Sequence, residues 1–85
     1  MTRKVPQAAQ AWIGDVAIVF AERRGDVAVL AVHGREVAYH VVEAELGRTV
    51  DAGPFAVTAT AFGFEHGRDV VVLTVTEPAP EGRPC

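Results

Sequence analysis

The stretch Val27-Ala28-Val29-Leu30-Ala31-Val32-His33-Gly34-Arg35-Glu36-Val37-Ala38-Tyr39-His40-Val41-Val42 decides the fold of this chain. Two runs rich in β-branched residues flank a short glycine-containing segment, the pattern of a β-hairpin. A two-residue loop with Gly34 first matches a type II′ turn, in which glycine supplies the φ > 0 that fits the twist of the flanking strands. That loop sets His33 opposite Glu36. Leu30 then faces Tyr39, Val32 faces Val37 and Ala28 faces Val41 on one side of the sheet. Val29 faces His40, Ala31 faces Ala38 and Val27 faces Val42 on the other. Side chains alternate with period two, so a hairpin covered on one side only should be polar on the other. This one is apolar on both sides until its tip.

Outward from the hairpin, Ile13–Ala21 is the predicted third strand of a meander, joined through Glu22-Arg23-Arg24-Gly25-Asp26. With Glu22–Gly25 as the loop, Ile18 and Phe20 fall on the His40 side, while Ala17 and Val19 join Tyr39. Arg48–Asp51 reads as a short strand and Gly53-Pro54 as a change of direction. Phe55–Phe62 and Val70–Thr76 form a second hairpin. Its apolar sets, Phe55, Val57, Ala59 and Ala61 with Val71, Leu73 and Val75, share a face only if the loop count is odd. That predicts a five-residue loop, Phe64–Arg68, or a bulge. The opposite face carries Thr58, Thr60, Thr74 and Thr76.

Residues 1–12 read as an N-terminal arm or as one short helix, Gln7–Trp12, with Pro6 at its first position. Residues 77–85 shift to Pro, Gly and charge, the composition of a flexible, disordered tail. The expected architecture is all-β: a small antiparallel barrel or sandwich of about five or six strands, meander first and C-terminal hairpin second. It occupies a single β domain over residues 13–76.

Composition narrows the function classes. Eighty-five residues make one domain, near the lower limit for a core without disulfides or metal. The one cysteine, Cys85, excludes an intrachain disulfide and a Cys-rich zinc site. Net charge is −3, and the 8 basic residues are dispersed among 11 acids. Nucleic-acid binders concentrate positive charge against phosphate, so no nucleic-acid partner is expected. No apolar run reaches the length of a membrane span, and Met1–Pro6 lacks the apolar segment of a signal peptide. The expectation is a cytoplasmic protein that makes no membrane contact.

The residues that carry chemistry are few. The chain has no serine, its thiol is Cys85, and its one lysine is Lys4, so a hydrolase-type nucleophile is missing. No Gly-rich phosphate loop opens a helix. His33 and His40 lie on the same face but four residues apart along the strand direction, roughly 13 Å, too far to chelate one metal through bonds of about 2 Å. No catalytic residue, metal or cofactor is therefore assigned. His40, mid-strand among Val29, Ile18 and Val42, holds the position of a ligand-orienting group or of an interface histidine. Asp15, Glu43 and Glu45 read as an acidic group at one end of the sheet or as solvated strand ends. Arg24-Gly25-Asp26 spells an integrin-recognition tripeptide in a loop.

The runs Gly14–Phe20, Glu36–Tyr39, Pro54–Ala59 and Val71–Val75 resemble the small uncharacterised all-β domains common in high-GC bacteria. The resemblance spans roughly residues 13–78 and implies the same fold and origin, with no activity or site residues to carry over.

A sheet apolar on both faces must cover both, because apolar surface left in water invites association. One face builds the core and the other an interface. The expected function is a non-enzymatic binding or assembly module, a homo-oligomer or a protein docked on a partner. Its contact surface is the meander face bearing Ile18, Val29 and His40, or the one bearing Leu30 and Tyr39. The alternative is a small barrel enclosing an apolar metabolite, a carrier or a cofactor-free cyclase or isomerase. Ala17, Ala28, Ala31 and Ala38 clustered inward would leave room for that ligand.

Overall fold

Turn residues at short intervals cut the chain into eight strands in the computed structural model, which describes residues 1–76. They are β1 (Thr2–Pro6), β2 (Gln10–Ile13), β3 (Val16–Arg24), β4 (Val27–Gly34), β5 (Val37–Glu45), β6 (Thr49–Ala52), β7 (Phe55–Glu65) and β8 (Arg68–Thr76). The expected tail at residues 77–85, Cys85 included, lies outside the described residues. Every ladder between strands is antiparallel, in two four-stranded sheets of order β1-β8-β7-β6 and β2-β3-β4-β5. No ladder joins β5 to β6 or β1 to β2, so the fold is a sandwich and not a closed barrel. Among the described residues no helix is long and apolar enough to cross a membrane.

Two strands beyond the expected six come from the segment read as an arm or short helix. Val5 is buried and pairs with Val71; Trp12 pairs with Ala17. A helix over Gln7–Trp12 would have left the edge of β3 without the β2 ladder, and unpaired ladder groups are costly where they cannot reach water. Pro6 ends β1, where its missing N–H removes little from the sheet. The crossover between the sheets turns on Ala8, at φ 70°, whose N–H donates to the Phe20 carbonyl at 2.8 Å.

The β4–β5 hairpin departs from the expected register. The loop is Arg35-Glu36, with Gly34 opposite Val37, and Gly34 is not among the residues of positive φ. Moving a two-residue loop by one position leaves every side chain on its expected face. A bulge does not: Ala38 and Tyr39 together oppose His33, so beyond them Val32 faces His40, Ala31 faces Val41 and Leu30 faces Val42. Leu30 and Tyr39 therefore lie on opposite faces, as do Val29 and His40. The bulge also supplies local right-handed twist, which a turn without positive φ does not.

Two further bulges act the same way. In β3 the register shifts between Phe20 and Glu22, which sends Glu22 and Arg24 outward and Arg23 inward. In β7 it shifts between Ala59 and Ala61, which turns Phe62 toward the core in place of Ala61. The Thr60 hydroxyl at that bulge donates to the Val72 carbonyl at 3.2 Å. The β7–β8 loop is the two residues His66 and Gly67, both at positive φ (52° and 81°), a type I′ pattern. A bulge, not a five-residue loop, thus places the apolar sets on one face.

The core lies between the sheets. Ile18, Phe20, Leu30 and Val32 on one side meet Val57, Val71 and Leu73 on the other, all fully buried. Of the four alanines that could have opened a cavity, only Ala28 belongs to this core; Ala17 and Ala31 lie on the outer face and Ala38 is exposed.

Gly34 is required for a reason other than φ. A Cβ there would sit 2.5 Å from the Asp15 carbonyl oxygen and 3.1 Å from the Val16 Cα, both backbone. The Arg35 N–H donates to that same Asp15 oxygen at 3.2 Å, so the two turns cannot separate freely. Gly34→Ala is expected to cost about 2 kcal/mol through this overpacking, lowering the melting temperature by about 8–16 °C. Thermal denaturation followed by circular dichroism checks this; a shift under about 2 °C would show that the turns part without cost.

Candidate functional site

Alternation with the β5 bulge gives the β2–β5 sheet an outer face built in rows. The first row runs Trp12, Ala17, His33, Tyr39 across the four strands, and the second runs Gln10, Val19, Ala31, Val41. Neither row contains an Asp, Glu, Lys or Arg side chain. The Trp12 and His33 ring centroids are 6.0 Å apart, edge to face, and those of His33 and Tyr39 are 6.4 Å apart, stacked. The imidazole thus links two aromatic groups across the sheet, above the fully buried Ala17.

Despite this packing, Trp12, Tyr39 and Val41 keep 51%, 68% and 52% of their surface exposed. Beyond Val29, also on this face, the surface becomes charged. Arg24 pairs with Glu22 at 3.0 Å and with Glu43 at 3.1 Å. The opposite sheet presents a different outer face: Thr2, Thr74, Thr58 and Thr49 form one row across all four strands. Within it the hydroxyls of Thr49 and Thr58 are 2.6 Å apart. One outer face is therefore hydroxylic and the other aromatic and aliphatic.

The residues singled out from the sequence separate onto different faces. Ile18 and Leu30 are in the core. Val29 and Tyr39 lie on the outer face. His40 shares the row of Ile18 and Val32, at the edge strand, half-buried, with its Nδ1 2.9 Å from the Ala38 carbonyl. Asp15, in the β2–β3 turn, is at the opposite end of the sheet from Glu43 and Glu45. Arg24 of the Arg-Gly-Asp tripeptide is engaged by its two carboxylates. Among the described residues no group of three or more His, Cys, Asp or Glu side chains converges on a point. Trp12 and Val41 were missed, because reading residues 1–12 as an arm removed Trp12 from the sheet and the bulge was invisible in the alternation.

Of three surface clefts among the described residues, none is lined by Ile18, Phe20, Leu30 or Leu73. One, about 490 Å³, lies where β5 and β6 diverge, between Val27, Glu43, Glu45, Arg48 and Thr49. A second, about 230 Å³, is edged by Glu65 and His66. There the Lys4 ammonium donates to Glu65 at 2.7 Å and holds its carboxyl below the ordinary range, through the hydrogen bond first and the charge second. No family model, curated protein or solved structure matches the chain.

The two faces of the sheet should respond differently to truncation. Tyr39→Ala is expected to change stability by no more than about 0.5 kcal/mol, whereas Ile18→Ala should cost about 2–5 kcal/mol. Urea denaturation of both variants checks the assignment, and equal losses would refute it. A separate expectation concerns Glu65. Its lowered pKa means that the Lys4 contact stabilises the fold above the ordinary carboxylate range and is lost as pH falls through the lowered value. Lys4→Met should return the Glu65 titration, followed by carboxyl NMR shifts, toward the ordinary range; an unmoved titration would show that Lys4 is not the cause.

Proposed function

We propose that this chain is a non-enzymatic binding and assembly module that makes contact through the outer face of the β2–β5 sheet. The observation that carries the reading is the exposure of Trp12, Tyr39 and Val41 together on one charge-poor face. Exposed apolar residues are ordinary when scattered and informative when contiguous. Tryptophan and tyrosine are also the residue types over-represented at the centres of interfaces. The packing of Ile18, Phe20, Leu30, Val57, Val71 and Leu73 in one buried cluster supports this reading over an enclosed apolar ligand.

Magnitude sets the kind of contact. An aromatic side chain offers about 150–250 Å², so two that are half to two-thirds exposed, with Val41, present roughly 300–400 Å² of apolar surface. A stable interface takes about 800 Å² per partner. The face therefore suits a weak, reversible association whose rim recruits polar neighbours such as Gln10 and Glu43. A second copy of the chain is the partner tested first.

Sedimentation velocity reads this directly. The wild type should sediment progressively faster than a 9.0 kDa monomer as concentration rises. Val41→Glu and Tyr39→Glu should remain monomeric with unchanged melting temperatures, because both positions are already half in water. A wild type that stays monomeric up to about millimolar concentration, the scale of the weakest useful contacts, removes self-association as the use of this face.

A further inference from the structure

Of the sheet edges formed by the described residues, all but one are guarded. β2 and β6 are four residues long, and β1 carries Arg3, Lys4 and Pro6. Shortness, lysine and proline each hinder pairing with a further strand. β5 is the exception: nine residues, Val37–Glu45, with no Lys, Arg, Pro or Gly. Its bulge at Ala38 and Tyr39 lies near one end, and from His40 to Glu45 its register against β4 is unbroken.

The β4 ladder fixes which backbone groups β5 turns outward. The Leu46 N–H donates to the Asp26 carbonyl at 2.8 Å, so the adjoining pair, Glu45 with Val27, is a non-hydrogen-bonded one. Alternation makes Glu43 and Val41 the same, with their N–H and C=O groups directed away from β4. The Glu45 carbonyl is taken by the Arg48 N–H at 2.9 Å. Among the described residues no backbone group reaches the outward groups of Val41 and Glu43. The cleft of about 490 Å³ beside Glu43 separates that edge from Thr49 of β6. Two donors and two acceptors are thus left on an extended, accessible strand.

We propose that two copies of the chain pair antiparallel through β5, about a two-fold axis at Val42. Val41 of each copy then exchanges both backbone bonds with Glu43 of the other, so every one of these outward groups is bonded. An axis at Glu43 would set like carboxylates directly opposite, a destabilising pair. An axis at Val41 would leave the Glu43 groups to the bulged Tyr39. With the axis at Val42, Glu43 faces Val41, Glu45 faces Tyr39, and the half-buried Val42 meets its own counterpart at the close spacing of a non-hydrogen-bonded pair. The edge is complementary to itself, which is what a two-fold interface requires. The roughly 300–400 Å² of the aromatic face is at most half of the ~800 Å² that a stable dimer takes from each partner; the β5 ladder adds backbone contacts to it. Assembly stops at two copies, because the other edge of the sheet is the short β2. The inference rests on the reading that the β2–β5 sheet is the contact surface, and adds how the copies meet.

The test compares two substitutions at one position by sedimentation velocity. Glu43→Ala removes the carboxylate and keeps the N–H. Glu43→Pro removes both, and proline is tolerated on an edge strand where its missing N–H faces away from the sheet. Glu43→Ala should associate as the wild type does, and Glu43→Pro should raise the dissociation constant more than about tenfold. Cysteines in a Cys85→Ala background read the register independently, and decide the matter if Glu43→Pro does not fold. Val42→Cys should cross-link to its own counterpart on mild oxidation. His40→Cys, set opposite Ala44 and about 13 Å from its counterpart, should not. Association of Glu43→Pro equal to that of the wild type would overturn the proposal and leave contact through the outer face standing. So would the absence of a cross-link at Val42→Cys, or an equal one at His40→Cys. A wild type that stays monomeric up to about millimolar concentration would overturn it as well, leaving the outer face to a different partner.

Discussion

Everything distinctive about this fold depends on three residues that have no partner across the ladder. A strand presents alternate side chains to opposite faces, and a chain dense in Val and Ala at both parities satisfies that rule in either sense. The bulges in β3, β5 and β7 break the tie. In β3 the bulge places Glu22 and Arg24 in water and sends Arg23 to Phe62. In β7 it brings Phe62 in to meet Arg23. The two irregularities therefore complete one contact, although they lie in different sheets. In β5 the bulge moves Tyr39 and Val41 out and Val42 and Ala44 in, and so creates the aromatic face.

The bulges also explain an economy in so small a domain. With about 60% of its surface removed from water on folding, a chain of this length has little core to spend on irregularity. Each bulge leaves one residue out of the ladder, yet each sits where an exposed or half-buried group can satisfy the backbone. The Thr60 hydroxyl bonds the Val72 carbonyl, and His40 reaches the Ala38 carbonyl. The arrangement trades ladder regularity for the correct sorting of charged and apolar side chains.

The fold class was legible because it rests on features that a single strand reveals. β-Branched runs, Gly-containing loops and period-two alternation predicted antiparallel sheets, and the meander and C-terminal hairpin are present. Faces were legible only as far as the first bulge: Val32 and Val37 fall on the expected side, Leu30 and Tyr39 do not. A bulge adds no residue type of its own, since Ala21, Ala38 and Thr60 are unremarkable in a strand, so only the partner's register exposes it. Strands β1 and β2 were hidden for another reason. Each is short, and each is stabilised by a neighbour far along the sequence or by a turn, Gly14-Asp15, that the alternation of Ile13–Ala21 overran. Trp12 was lost with them, and the candidate face with Trp12.

Strand order has a consequence in time. Apart from one pair, every laddered pair joins strands adjacent in the sequence and can form by local hairpin closure. The exception is β1 with β8, which brings Thr2 to Thr74 and Pro6 to Val70. Loop-closure entropy grows with the length of chain enclosed, so this pairing gains least from what has formed locally and most from a sandwich already assembled. Folding of the chain accordingly ends where its sequence begins, with β1 laid last against the exposed edge of β8 and Val5 sealing the core.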